Sequence, residues 1–488
     1  MKKKNKPAQE NNTRRNFIKS SVLLAAGFYI IPRHVMGGKG FIAPSDRLIV
    51  AGIGVGGKGE SDLNEFFKSG KADVAFLCDV DDKQSAASRT RFPKAKFYKD
   101  YREMIDKESK NFDAVSVSTP DHNHAVQAMA AMQLGKHVYV QKPLTHDIYE
   151  ARMLTEAALR YKVVTQMGNQ GASGDGVRQL MEWHNEGVIG QVHDVYVWTD
   201  RPVWPQGIAW PKQTAPVPQN LDWNLWLGTA PQKDYVENIA PFNWRGWWDY
   251  GTGALGDMGC HLIEAPFRVL NLGYPTEAAC SVSSYYTGPF RRGYFPESAP
   301  AASHVTLKFK GKKNKDDIVM HWMDGGIQPE RPEELGPNEI MGDGGNGVIF
   351  VGTKGKMMCD TYGANARLLP LSRNRDLKTS VKIARVPGGA GGHYKQWVEA
   401  CIAGYNSNEA KNLSSPFSIA GPLTETVLMG NLAIRSYDLR KERAAEPGRY
   451  DYPGRGIKLL WDGDNMKITN FDEANQFVKR QYRSGWNL

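Results

Sequence analysis

A chain of 488 residues, 41% of them hydrophobic, holds enough apolar material for two or three buried cores, which excludes a disordered or fibrous protein. Most of the net charge of +10 sits in residues 1–47, where ten Lys or Arg face only Glu10 and Asp46, so the rest of the chain is close to neutral. A near-neutral body excludes the basic surface that nucleic-acid binding requires.

The chain opens with a leader. Residues 13–32 read TRRNFIKSSVLLAAGFYIIP, with paired Arg14 and Arg15, then Phe17 and Lys19, then a mostly apolar run from Val22 to Ile31. That run is about half of the ~20 residues that cross a bilayer, so no stable membrane span is expected. The segment Thr-Arg-Arg-Asn-Phe-Ile-Lys resembles a twin-arginine export signal, a bacterial address that passes folded proteins to the periplasm, and residues 1–44 are read as this leader. A mature start near residues 35–45 and an uncleaved anchor both stay open. The five cysteines, at 78, 260, 280, 359 and 401, contain no Cys-x-x-Cys pair and support neither a disulfide framework nor a zinc knuckle.

From residue 45 onward, strands and helices alternate. The stretch DRLIVAGIGVGGKGESDL (46–63) is a short apolar strand that runs into Gly52-x-Gly54-x-x-Gly57 and then a helix over 61–68. Glycines at this spacing permit a tight turn, let the backbone approach a pyrophosphate, and deliver it to the positive end of a helix. The next strand, DVAFLCDVDD, puts Asp79 at its carboxyl end. A carboxylate there accepts from both ribose hydroxyls of an adenosine and repels a 2′-phosphate, which favours NAD over NADP; Asp81 and Asp82 then read as helix caps. A strand over 114–118 leads into Thr119-Pro120, a helix covers 125–134, and a strand over 137–140 ends at Gln141-Lys142-Pro143. A helix over 148–161 and a strand over 163–167 complete the series. This alternation predicts an α/β Rossmann domain over 45–167, a doubly wound parallel sheet whose ligands sit at the carboxyl ends of its strands. Pro143 fixes its own φ and biases Lys142 toward extended backbone, so the ammonium has a set direction toward that crevice. His122 and His124 sit on a turn entering a helix with no third ligand nearby, so no metal site is expected.

Beyond residue 168 the texture changes to long Pro- and Gly-rich loops between strand-like segments such as QVHDVYVWTD, HVTLKFKG and GVIFVGTKGKMMCD. Helices are expected over 176–185, 260–270, 393–403 and 422–437. This composition predicts a second, α+β open-sheet domain over 168–488, for substrate and for homo-oligomer contacts. Its tail, from about residue 447, shows little pattern before FDEANQFVKRQY and is expected to wrap the body or a neighbouring subunit. Within GALGDMGCH, Asp257 and His261 stand four apart, so on one helical turn both point to one pocket, with the Asp orienting or tuning the His. Eight of the thirteen tryptophans fall between residues 198 and 248, as a core, an interface, or flat faces for a sugar ring.

Taken together, GIGVGG, CDVD, STPDHNH, GKHVYVQKPL and GALGDMGCH, in this order, resemble the Gfo/Idh/MocA family, the glucose-fructose oxidoreductase and inositol dehydrogenase group. The resemblance implies bound NAD or NADP and a sugar or cyclitol substrate. It implies cofactor contacts at Gly52, Gly54, Gly57, Asp79, Thr119, Pro120, His124, Gln141 and Lys142, and catalytic roles for Lys142, Asp257 and His261. The family usually has Glu where this chain has Gln141, which keeps hydrogen bonding but removes a negative charge beside the lysine.

Oxidation of a secondary alcohol needs a C–H held against the nicotinamide, a base for the hydroxyl proton, and positive charge beside the developing alkoxide. His261 suits the base, with Asp257 orienting it, and Lys142 suits the charge. The expected protein is an exported, NAD-dependent dehydrogenase that oxidises a ring hydroxyl of a sugar or glycoside, C3 being the position guessed, on tightly held cofactor. Two alternatives stand beside it: a redox-neutral NAD-dependent glycosidase of the same fold, which Lys142 disfavours because those enzymes typically lack that lysine, and a non-enzymatic sugar-binding protein.

Overall fold

The strands of the first sheet are short, apolar and largely buried on both faces, as a parallel sheet between two helical layers requires. The computed structural model describes residues 46–312, 316–377 and 381–488, and the expected export leader, 1–44, lies outside them. Strands β1 (Leu48–Ile53), β2 (Ala72–Cys78), β3 (Lys96–Tyr98), β4 (Ala114–Val117), β5 (His137–Val140) and β6 (Thr165–Met167) pair in parallel in the order β3-β2-β1-β4-β5-β6. The chain order runs outward in opposite directions from β1 and β4, which opens a crevice at their carboxyl ends.

The crossover helices are α1 (Lys58–Lys68), α2 (Asp82–Arg91), α3 (Tyr101–Glu108), α4 (His124–Gln133) and α5 (Ile148–Tyr161). Their starts follow local chemistry. Asp81, as expected, caps α2 by accepting from the Lys83 and Gln84 amides, and Asp100 caps α3. Asp82 instead lies inside the first turn of α2. Asp147 and Glu150 form a reciprocal capping box at α5.

The second sheet has nine strands. Naming β7 (Val192–Trp198), β8 (Glu277–Val282), β9 (Ser303–Phe309), β10 (Ile318–Met323), β11 (Gly347–Gly352), β12 (Gly355–Cys359), β13 (Arg367–Leu369), β14 (Leu459–Asp462) and β15 (Lys467–Ile468), the order is β13-β12-β11-β7-β10-β9-β8-β14-β15. Only β7 and β10 pair in parallel. Along β9, buried and half-buried residues alternate, so one face is packed and the other is partly open. The fold is thus a Rossmann sheet followed by a mixed open sheet, as the sequence predicts.

Helices α6 (Asp175–Asn185), α7 (Gly253–Leu262), α8 (Glu264–Val269), α9 (His393–Ala403) and α10 (Phe417–Tyr437) pack against these sheets. Leu423, Val427 and Leu432 of α10 share one apolar cluster with Leu154 of α5 and Val305 of β9, so the two sheets have a common core. The bidentate pair of Arg152 on α5 with buried Glu425 on α10, at 2.9 and 2.8 Å, fixes their register. Three expectations need correction. The helix expected over 260–270 is two helices, because Pro266 has no N–H for the Leu262 carbonyl and the run breaks at Ile263. Helix α10 starts at Phe417, before Pro422, because the buried Phe417 and Ala420 hold the first turn although the proline donates nothing. The tail is not patternless before FDEANQFVKRQY: β14 and β15 extend the open sheet.

Candidate active site

A cleft of about 350 Å³ opens at the carboxyl ends of β1, β2, β4 and β5. Its floor is the glycine turn. Gly54 has φ +73°, and a side chain there would press on the Ser118 carbonyl at 2.7 Å, so only glycine lets the turn approach β4 this closely. Gly57 has φ +52°, and the position of its missing Cβ meets nothing within 4 Å, leaving open space at the start of α1 where a phosphate group fits. Sequence spacing missed Gly59, where a Cβ would lie 1.8 Å from the Gly54 carbonyl. The second and fifth residues after Gly54 lie inside the Gly-Gly-Lys-Gly run, and that run is the signal that marks them.

Asp79 stands in the cleft wall, where its carboxylate accepts from the Val55 amide at 2.8 Å and the Asp81 amide at 2.9 Å. Burial raises its pKa to about 6 against these two amide bonds, so it is ionised at neutral pH and keeps acceptor capacity for a ribose. Thr119, Pro120, Gln141 and Lys142 line the same cleft. His124 does not: its ring spans the Pro143 carbonyl at 2.8 Å and the Thr119 carbonyl at 2.7 Å, so it braces the turns after β4 and β5 from behind. His122 likewise bridges the Tyr250 and Trp226 carbonyls, which leaves neither histidine of the pair open to a ligand. Among the described residues no group of His, Cys, Asp and Glu is arranged to hold a metal.

Lys142 leaves the end of β5 and donates to Asp257 Oδ1 at 2.7 Å and to the Asp257 carbonyl at 3.0 Å. Burial would raise the Asp257 carboxyl, but the Lys142 and Arg245 cations outweigh it and hold the pKa down at about 2. Asp257 and His261 do share a turn of α7, yet the Asp257 carboxylate is engaged by Lys142 and, at 3.3 Å, by Arg245 rather than by the imidazole. The partner of His261 is Asn169, whose Oδ1 lies 3.0 Å from Nδ1. Asn169 follows β6 and is itself fixed by donating to the Cys260 carbonyl and to Glu264. Burial pushes His261 down to about 3, so its ring is neutral across the physiological range and a weak base as it stands, and unlike Lys142 and Asp257 it does not line the cleft.

Two residues of this site escaped the motif reading. Arg245, from the WRGWWDY segment, enters the cleft as a second cation on Asp257. Asp121, the middle letter of STPDHNH, is buried in the cleft wall and accepts from Thr252 at 2.8 Å. Burial raises its pKa to about 7, against the Thr252 bond and the nearby cations. Of the eight clustered tryptophans, most form an apolar cluster of their own with Tyr250, and Trp226 and Trp244 reach the cleft.

Residues 48–169 match the profile described as "Oxidoreductase family, NAD-binding Rossmann fold", and residues 181–279 match "Oxidoreductase family, C-terminal alpha/beta domain". Both profiles are those of the Gfo/Idh/MocA oxidoreductases. The chain is 27% identical over 206 residues to glycosyl hydrolase family 109 protein 1 of Shewanella sp. strain ANA-3, a match over 37% of this chain and 44% of that one. It is 23% identical over 189 residues to levoglucosan dehydrogenase of Pseudarthrobacter phenanthrenivorans, over 38% and 40% of the two chains. The chain therefore spans less than half the length of either curated relative. A solved levoglucosan dehydrogenase in complex with NADH shares the fold at a TM-score of 0.53 and 18% identity, covering 80% of this chain and 98% of that one.

Proposed function

We propose that this oxidoreductase is an exported, NAD-dependent dehydrogenase that oxidises a ring hydroxyl, with C3 as the working position, of a sugar or glycoside on a cofactor it holds tightly. The observation that carries this reading is the half-buried Lys142–Asp257 pair, which lines the same cleft as the glycine turn and Asp79. A cleft for binding alone does not require a lysine held in its wall by a carboxylate and a backbone carbonyl together. The levoglucosan dehydrogenase relative supports a sugar as substrate.

The residues fit NAD: open space at Gly57 for the pyrophosphate, and an ionised Asp79 whose charge repels a 2′-phosphate. When bound, the nicotinamide supplies the hydride acceptor. Lys142 donates to the reacting oxygen and stabilises its developing negative charge, and Asp257 with Arg245 fixes the ammonium beforehand so that no reorganisation is needed. His261, steadied by Asn169, is the proposed proton acceptor, a role in which bound substrate has to raise its basicity above the depressed value that burial gives it. The twin-arginine pattern supports delivery to the periplasm with cofactor already in place.

The name of the family 109 relative favours one second reading, redox-neutral cleavage of a glycosidic bond. One experiment separates the two. Folded protein is purified with its nucleotide, and absorbance at about 340 nm is followed as sugars and aryl glycosides are added. Lasting reduction with a free sugar is the expected result; release of the aryl group without lasting reduction would replace the dehydrogenase with the glycosidase.

A further inference from the structure

The last eleven residues lie against α5 of the Rossmann part and against residues 224–232, held at three points. Arg480 is half-buried; it donates to Glu150 at 2.7 and 3.1 Å, to the His122 carbonyl, and through its amide to Asp147 at 3.2 Å. Tyr482 donates to the same Glu150 at 2.6 Å. Arg483 donates to the Asn224 side chain at 2.8 Å, to Gln232 at 2.6 Å, and to the Gly228 carbonyl at 3.1 Å. A segment with no helix or strand would otherwise fray, and two arginines pinned by this many charge-assisted bonds are a strong way to prevent it.

What the anchoring delivers is Trp486. Its ring tilts against Tyr101, with centroids 6.3 Å apart, and the Arg102 guanidinium stands 4.6 Å from its centroid. Tyr101 and Trp486 line the NAD cleft beyond Asp79, at the ends of β2 and β3. A ribose read by Asp79 carries its base away from Lys142 and the glycine turn, so the base meets this aromatic wall.

We propose that Trp486 packs against the adenine of the bound dinucleotide and that the C-terminal strap thereby slows cofactor release. The proposal rests on the NAD reading above. An aromatic face suits this task because every base presents a π-face, and stacking in an anchored site needs no hydrogen-bond code. It also gives the tight retention that export with cofactor bound requires a physical source other than the dinucleotide's phosphates.

The test compares full-length protein with Trp486→Ala and Trp486→Phe, each stripped of nucleotide. NAD affinity and off-rate are read by calorimetry and stopped-flow fluorescence, with nicotinamide mononucleotide, which lacks the adenosine, as the second probe. Trp486→Ala is expected to weaken NAD roughly ten-fold or more, mainly through a faster off-rate, to leave the mononucleotide unchanged, and to be restored in large part by Trp486→Phe. Unchanged NAD kinetics in Trp486→Ala, or equal weakening of both probes, would overturn the strap's role while leaving the NAD reading intact. Wild-type protein that binds neither NAD nor ADP-ribose overturns both.

Discussion

The Gln141 amide donates to Asp62 Oδ2 at 2.7 Å, and Asp62, fully buried on α1, also accepts from Lys58, from Ser118 at 2.9 Å and from Tyr394 at 3.1 Å. The negative charge beneath the lysine strand therefore sits on the helix, and an uncharged amide at 141 is what that carboxylate can accept. A Glu at 141 would face Asp62 at hydrogen-bond distance, which forces one carboxyl to take up a proton or the contact to open. Gln141→Glu is expected to lower Tm and NAD affinity, and Asp62→Asn in the same chain to restore much of both, with a coupling of roughly 0.5–3 kcal/mol in a double-mutant cycle. Additive losses would show that the two side chains act apart. Lys142→Ala and His261→Ala should each keep bound nucleotide and lose turnover roughly 10²-fold or more; full activity in either ends the assignment. Asp121 makes a prediction of opposite kind. Its folded pKa of about 7 lies above the ordinary 3.8, so between these values the unfolded state sheds the proton first and stability falls as pH rises. Asp121→Asn should then match wild type in thermal melts below pH 4 and exceed it at pH 8, and any inflection of kcat/KM near pH 7 that belongs to Asp121 should vanish.

At the scale of elements, α1 and the turn before it decide whether a dinucleotide fits. Gly59→Ala would drive a methyl group to 1.8 Å from the Gly54 carbonyl, a backbone atom that cannot swing aside. It should cost roughly 1–3 kcal/mol in denaturant melts and abolish NAD binding, whereas Gly57→Ala, which meets open space but strains a φ of +52°, should cost about 1 kcal/mol. Comparable losses would mean the close approach at Gly59 is not what holds the turn. Element types were legible because each rests on local patterns: α5 and α9 begin and end where apolar spacing and the Asp147 cap place them. The break at Ile263 was legible but missed, since Pro266 removes the donor for the Leu262 carbonyl in the sequence itself; the early start of α10 was not legible, because only packing shows that Phe417 is buried.

For the molecule as a whole, one apolar core spans both sheets, so buried titratable groups throughout it act on a single cooperative unit. Burial pushes His122, His261 and His393 down to about 3, which makes their contribution present above pH 6.5 and progressively lost as pH falls toward 3. Asp79, Asp121 and Asp324, raised to between about 6 and 7, act in the opposite sense over the range above 3.8. The two sets oppose one another between about pH 4 and 6, with His124, His137 and His146, also held down by burial, on the first side and Asp147, also raised by burial, on the second; Asp257 joins the loss as pH falls toward 2. Thermal melts should drop steeply below pH 4, where the raised aspartates no longer oppose the histidines and Asp257; a Tm that holds to pH 3 would show that these groups are not buried as described.

The sequence by itself determined the order of elements, the parallel sheet and the positions of the glycine turn, Asp79, Lys142 and the Asp257/His261 turn, because strand and helix periods and glycine spacing are local signals. Only the tertiary structure decided who partners whom. Asp257 and His261 share a helical face, yet Lys142 and Arg245 claim the carboxylate and Asn169 takes the imidazole. His124 faces away from the cleft it was expected to line, and Trp486, the third residue from the end of the chain, stands in the cleft wall. The physical reason is the same in each case: a buried polar group bonds to whatever donor or acceptor packing brings within about 3 Å, and that neighbour can lie hundreds of residues away.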